Sequence, residues 1–276
     1  MKIRLALILG LLSTSLSAQG IDIFSQAPDA SSAGLAVIQN PLYIPHNLNQ
    51  TTAPSASFTA WSWVADIGGA NLSVLNGSWI FGLQSSVVDN IEVRGDEPSL
   101  DPLSTYQYSV LAFGLGYGFE IKDFNAGLSV NVVREQGLNE KVWGMAVNAS
   151  SGFALSENGA VAYGLRNLGR MGTLESQRSD LPNELWLSYV HKTDTFSWLA
   201  EINTGKRPLA AGLQYTPVSR LRINTGVQLE STRDELRLHP AAGIEFDWDN
   251  FSLALALSQI THPVAQRNFL TFIWNY

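Results

Sequence analysis

Phe251-Ser252-Leu253-Ala254-Leu255-Ala256-Leu257-Ser258 and, shortly after it, Asn268-Phe269-Leu270-Thr271-Phe272-Ile273-Trp274-Asn275-Tyr276 decide the fold. In the first stretch Phe251, Leu253, Leu255 and Leu257 share one parity, and Ser252, Ala254, Ala256 and Ser258 share the other. In the second, Leu270, Phe272, Trp274 and Tyr276 fall on one side. A side-chain period of two is the signature of a strand whose two faces meet different surroundings. The pattern recurs upstream. Leu221, Ile223, Val227 and Leu229 alternate with Arg222, Asn224, Gln228 and Glu230. Leu238, Ala242, Ile244, Phe246 and Trp248 oppose Arg237, His239, Gly243 and Glu245, while Trp143, Met145 and Val147 oppose Gly144, Ala146 and Asn148. One apolar face also suits a water-soluble, secreted β-sandwich. Alternation alone therefore leaves two architectures open.

Working outward, alternating segments occur near 55–63, 68–75, 78–88, 106–120, 123–136, 140–154, 159–167, 183–193, 196–204, 207–216, 220–231, 236–247, 250–260 and 265–276. No helical period competes with them. Short turns, such as Asn76-Gly77, Thr193 to Thr195 and Asp247 to Asn250, occupy every second connection. The long connections, Val88 to Thr105 and Leu168 to Pro182, both fall in the other set. Short turns at one end and longer loops at the other are expected of membrane barrels. Trp143, Trp198, Phe246, Trp248, Phe251, Trp274 and Tyr276 lie toward strand ends on the apolar parity, as interfacial girdles at both membrane surfaces require. Only 15% of the residues are charged, beside 8 Trp, 8 Tyr and 12 Phe, which is too little charge for an ordinary soluble surface. These observations predict an all-β, transmembrane antiparallel β-barrel of about 14 strands over residues 55–276. Pro240 stands against the pattern, because a closed barrel uses every backbone N–H, so a bulge or a late strand start is expected there.

The N-terminus supplies an address. Lys2 and Arg4 precede an apolar run from Leu5 to Leu12 and a small-residue tail from Ser13 to Ala18. That run is too short to span a bilayer as a helix, so residues 1–18 are expected to be a cleaved signal peptide. The absence of cysteine removes a lipid-modified Cys and any disulfide framework. A formal charge of −7 with scattered acids argues against nucleic acid as a partner. The expected location is the outer membrane of a Gram-negative type cell. The expected partners are its lipid and the barrel assembly machinery, which would read the terminal strand Leu270, Phe272, Trp274 and Tyr276.

Residues 19–54 are not strand-like and form an N-terminal segment that is either a hatch in the lumen or a periplasmic tether. Asn40 before Pro41 favours a turn that could insert into a polar interior. His46, His191, His239 and His262 show no metal-ligand spacing, and no Gly-rich phosphate loop leads from a strand into a helix. His239 shares a face with Arg237 and Glu245, with Ser231 across the adjacent loop. No nucleophile, base and orienter are assembled there, so no enzymatic role and no cofactor are expected. Arg222, Glu230, Arg237 and Glu245 form a candidate luminal polar network, joined by Glu201 and Arg166. Opposite charges inside a barrel either pair and stiffen the interior or line it for solute selection. Gly114, Gly116 and Gly118, all on the luminal parity, either let another segment approach or relieve strain where the sheet curves.

Several stretches carry a family resemblance. These are the Ala/Gly-rich segment from Ala27, Asn40-Pro41, Gly114-Leu115-Gly116-Tyr117-Gly118, Gly164-Leu165-Arg166-Asn167-Leu168-Gly169 with Leu181-Pro182, and Gly243-Ile244-Glu245-Phe246. Together they resemble the PorV/PorQ family within the wider FadL-like barrels. The resemblance departs from the pattern at Leu42, which follows Asn-Pro where Ala is usual. It implies that Ala33 to Leu48 is a luminal hatch. It also implies a docking or shuttle component of type IX protein secretion, with secretion components or secreted cargo as partners. Val88 to Thr105 and Leu168 to Pro182 would then be recognition surfaces, the first made acidic by Asp89, Glu92, Asp96, Glu97 and Asp101. The wider class implies an alternative, passive transport of hydrophobic compounds across the outer membrane.

Overall fold

The computed structural model describes residues 27–37, 54–63, 67–94, 101–121, 124–137, 140–174, 177–178, 181–231, 235–259 and 266–276. The signal-peptide expectation for 1–18, and Asn40 and Pro41, lie outside these residues. A one-turn helix, α1 (Ala30–Gly34), precedes the sheet. The wall consists of β1 (Ser55–Ser62), β2 (Ile67–Asn76), β3 (Trp79–Val93), β4 (Ser104–Ile121), β5 (Phe124–Gln136), β6 (Lys141–Ala154) and β7 (Gly159–Met171). It continues with β10 (Glu184–Lys192), β11 (Phe196–Asn203), β12 (Leu209–Val218), β13 (Leu221–Ser231), β14 (Leu236–Trp248), β15 (Phe251–Gln259) and β16 (Gln266–Asn275). Between β7 and β10, β8 (Thr173–Leu174) and β9 (Gln177–Arg178) form a separate two-stranded ribbon.

Each wall strand pairs antiparallel with its sequence neighbour, and β1 closes on β16, from Ser55↔Asn275 to Ser62↔Asn268. The Tyr276 N–H adds a bond to the Pro54 carbonyl at 3.1 Å. The fourteen segments read from the sequence are these fourteen strands. The chief differences in length are β3, which runs on to Val93, and β7, which runs on to Met171.

The turns follow from local chemistry. Gly77-Ser78, Ser219-Arg220 and Asp249-Asn250 are two-residue hairpin loops at one end of the barrel. Gly77 has φ 57° and Asp249 φ 49°, the left-handed conformation such loops demand. Both ends of the sheet, Ser55 and Asn275, lie at this same end. Three register shifts interrupt the ladders, between Val88 and Ile91, between Val147 and Ala149, and between Tyr215 and Val218. Pro217 lies in the last of these. Pro240 needs neither a bulge nor a late start. β14 pairs with β13 in unbroken register from Leu236 to Phe246, with Pro240 opposite Val227. Its ladder with β15 begins only at Ala241, so a proline at 240 removes no donor from that pairing.

Faces are sorted as the alternation requires. Phe58, Leu72, Phe113, Val130, Leu187, Leu213, Ile244, Leu255, Leu270 and Phe272 are exposed on the outside. Thr59, Gln84, Asn131, Asn148, Glu201, Asn224, Glu245 and Thr271 are buried inside. A continuous outward apolar band above a polar interior is the surface of a membrane-spanning barrel. No helix among the described residues is long and apolar enough to cross a membrane. Aromatic pairs, among them Trp79–Tyr117, Tyr189–Trp198, Phe196–Tyr215 and Phe251–Trp274, gather at the short-turn end. Toward the other end, of the aromatics named from the sequence, only Trp143 is placed, so one girdle is dense and the second sparse. Leu255, 50% exposed in the middle of β15, tests the assignment of faces. Its replacement by Arg is expected to cost about 2–4 kcal/mol in refolding titrations, the price of a cation at the bilayer midplane.

Candidate functional site

The lumen is divided between two half-walls. One carries residues 27–37, which run as a belt along the inner surface from β2 to β11. The Asn71 side chain on β2 donates to the Pro28 carbonyl at 2.8 Å, and the Ala30 N–H donates to Thr271 Oγ1 on β16 at 2.8 Å. Ala30 and Ala33 pack with Trp61, Ala254, Ala256 and Phe269. Ser31 Oγ donates to Glu245 Oε2 on β14 at 2.5 Å. Val37 ends the belt against Leu199 on β11 and Ala210 on β12. Asp29 caps α1, its carboxylate accepting the Ser32 N–H at 2.7 Å. Burial pushes the Asp29 carboxyl above its ordinary range, against hydrogen bonds from Ser32 and Ser31 that pull it down.

The belt lies close because the wall beneath it lacks side chains. A Cβ at Gly212 would stand 2.6 Å from the Leu35 carbonyl oxygen, and one at Gly226 would collide with the Leu35 backbone. Gly34 and Gly243 face each other, with the Cβ position of Gly34 3.0 Å from the Gly243 Cα. Ala36, at φ 56°, turns the chain just past this contact. Small residues on the inward parity of four consecutive strands, from Ala210 and Gly212 through Gly226, Ala241 and Gly243 to Ala254 and Ala256, were the sequence signal for this seat. Of the glycines singled out on β4, Gly116 serves otherwise. Gly116 lies beneath the Ile80 side chain, which a Cβ would strike.

The other half-wall holds an apolar cluster among buried polar side chains such as Gln84, Ser129 and Asn148. Val110, Ala112, Val133, Val142, Ala146, Met171, Leu181 and Trp186 form one buried cluster with Ile80 across β3–β7 and β10. Tyr108 packs against it, its hydroxyl donating to Glu135. Most of these residues lie toward the end bearing the long connections. Above them, β3 and β4 continue past their neighbours as a two-stranded ribbon, from Ile91↔Tyr106 to Val93↔Ser104. Pairing of β3 with β2 stops at Val88, and pairing of β4 with β5 stops at Ser109.

Of the charge pairings inside the barrel, the Arg166 group lies where the two half-walls meet, on β7, β10 and β11, and those of Arg222 and Glu230 lie on β13 and β14 beside the belt. Arg166, 1% exposed, grips both oxygens of Glu201 at 2.9 and 3.0 Å, has Glu184 at 3.6 Å, and stacks on Trp186 at 4.7 Å. Beside it Asn167, at φ 58°, occupies the β6–β7 bulge, donating its N–H to Asn148 and its amide to the Pro182 carbonyl. Arg222 pairs with Glu245 at 2.8 Å and Asp247 at 2.6 Å, so Glu245 holds both Arg222 and the Ser31 of the belt. Glu230 meets His239 at 2.8 Å, while Arg237, opposite Glu230 in register, bonds Glu235 instead. The four network residues therefore split into three separate pairings. Ser231 has the outward parity of β13, away from the inward His239. Among the described residues no group of His, Cys, Asp and Glu could hold a metal. Leu270, Phe272, Trp274 and Tyr276 are exposed along the outside of the closing strand.

The described residues form a closed antiparallel barrel of fourteen strands with an N-terminal segment against its inner face. The chain is similar in fold to the Pseudomonas putida toluene transporter TodX, at TM-score 0.66 and 12% identity over 92% of this chain and 99% of that one. It is also similar to the CymD monoaromatic hydrocarbon channel, at TM-score 0.62 and 10% identity over 91% and 98%. The Ralstonia pickettii toluene transporter TbuX matches at TM-score 0.57 and 10% identity over 94% and 99%. At such identities the likeness is one of fold. No protein-family model and no curated protein sequence matches the chain.

The seat makes the belt testable. Gly226→Val should displace Leu35 at a cost of about 1–3 kcal/mol. Added protease should then cut the segment around α1 roughly tenfold faster, while the barrel keeps its heat-modifiable gel mobility.

Proposed function

We propose that the protein is an outer-membrane barrel that passes a hydrophobic small molecule, with the belt as its hatch. The observation that carries this reading is the asymmetry of the lumen. One half-wall is closed by residues 27–37. The other holds a buried apolar cluster, which Tyr108 joins to the ribbon, where Ile91, Val93 and Tyr106 share a face. A greasy solute leaving water gains free energy in proportion to the apolar area it covers, so such a ramp draws it inward. The names of the structural neighbours, toluene transporters and a monoaromatic hydrocarbon channel, support the same class of cargo. The short-turn end, with both ends of the sheet, faces the periplasm in this reading. The exposed aromatic face of β16 is the assembly signal.

Uptake of labelled toluene by cells carrying the protein tests it. Val133→Asp, which puts an unpaired carboxylate into the apolar wall, is expected to cut uptake by about tenfold or more at unchanged barrel level. Uptake no faster than in cells lacking the protein sinks the reading.

A second reading, docking for type IX secretion, is favoured by the ribbon. Asp89 and Glu92 are exposed on it, and among the described residues nothing pairs with its edges beyond Val88 and Ser109. Unpaired edges accept an added strand. Under that reading secretion components or cargo copurify with the intact chain, and shortening the ribbon by removing residues 90–105 abolishes their recovery.

A further inference from the structure

We infer that the apolar wall carries a hydrogen-bonding subsite at Asn131, which selects neutral hydrophobic molecules bearing a hydroxyl group. This rests on the hydrophobic-transport reading and names the substrate class. Asn131 lies at the middle of β5, 0% exposed, opposite Gly114 on β4 and Ala146 on β6. Among the described residues, neither its amide nitrogen nor its amide oxygen has a hydrogen-bond partner. An amide stripped of water and left unmatched is costly, and native interiors rarely keep one without a use. Two residues further along the same face stands Val133, within the apolar cluster, and then Glu135. Glu135 receives the Tyr108 hydroxyl on Oε1, while its Oε2 is buried and unmatched. Asn131 thus presents an unmatched donor and an unmatched acceptor beside Val133 and Ala146, with Glu135 a further acceptor about 13 Å along the strand.

Charge chooses between ligand classes. The inward residues of β4, β5 and β6 among the described residues include Glu135 and no Lys or Arg. Arg166, across the cluster on β7, is already held by Glu201 and Glu184. A carboxylate ligand would meet the Glu135 charge with no cation to offset it. A pure hydrocarbon would leave Asn131 as unmatched as before. A phenol or alcohol offers an O–H to a carbonyl or carboxylate oxygen and an oxygen to the amide N–H, while its apolar body lies on the cluster. Asn131 Nδ2 and Oδ1 and Glu135 Oε2 are shut from solvent in this structure.

The test is equilibrium binding to the full chain in lipid nanodiscs at neutral pH, using radiolabelled 4-propylphenol, propylbenzene and 4-propylbenzoate, with empty nanodiscs subtracted. The phenol is expected to bind about tenfold or more tightly than either other probe, because a site with buried polar groups penalises the analogue that cannot match them. Asn131→Leu should bring the phenol close to the hydrocarbon, removing its preference. Glu135→Gln should strengthen benzoate binding. Equal binding of phenol and hydrocarbon, a tighter benzoate, or an Asn131→Leu variant that keeps the preference overturns the subsite and leaves hydrophobic transport standing. No saturable binding of any probe removes the transport reading and the subsite together.

Discussion

Every part of this molecule depends on the closure of the backbone ladder between β1 and β16. In hydrocarbon an N–H or C=O without a partner costs several kcal/mol, so a sheet can cross only when its first and last strands find each other. The eight facing pairs from Ser55↔Asn275 to Ser62↔Asn268 accomplish this. Once the ladder is closed, parity alone sorts the side chains. Leucine and phenylalanine face lipid, and serine, asparagine and charge face the interior. The proline at 240 is compatible with closure only because β15 has not yet joined β14 at that height.

Closure creates an interior, and glycine decides how it is used. On β12, β13 and β14 the missing side chains of Gly212, Gly226 and Gly243 let residues 27–37 lie on the wall itself. On β3–β7 and β10 the space is instead filled by side chains, an apolar cluster around Val133 and Trp186 among buried polar residues such as Gln84 and Asn148. The same barrel therefore offers a seat for its own chain on one side and a greasy surface on the other. One buried ion-pair group stands where the two regimes meet, and another lies beneath the belt. Arg166 with Glu201 and Glu184 ties β7 to β10 and β11, and Arg222 with Glu245 joins β13 to β14 and, through Ser31, to the belt. Removing one partner of such a pair would strand a charge, so these contacts favour a single arrangement of the interior.

The bulges give the rim its shape. At Asp89 and Asn90, with Asn90 at φ 56°, the inward parity of β3 changes from even to odd residues, so Ile91 and Val93 come onto the face shared with Tyr106. Without that extra residue the ribbon would turn Glu92 toward the lumen. A local backbone irregularity thus extends the apolar wall beyond the rim and leaves the acids on the other face. Hydrophobic transport uses the first face and protein docking the second.

The alternation of Phe251 to Leu257 and of Leu270 to Tyr276, together with turns at Gly77 and Asp249, made the barrel, its strand number and its lipid-facing side legible from the chain alone. These are properties of a residue and its near neighbours, because a period of two and a left-handed turn residue act locally. What the sequence could not contain was distance across the lumen. The pairing of Glu230 with His239 rather than Arg237, the grip of Arg166 on Glu201, the contact of Leu35 with Gly226 and the isolation of Asn131 all depend on which strands end up beside or facing one another. That is set by closure and shear of the whole sheet, a collective constraint that no single segment carries.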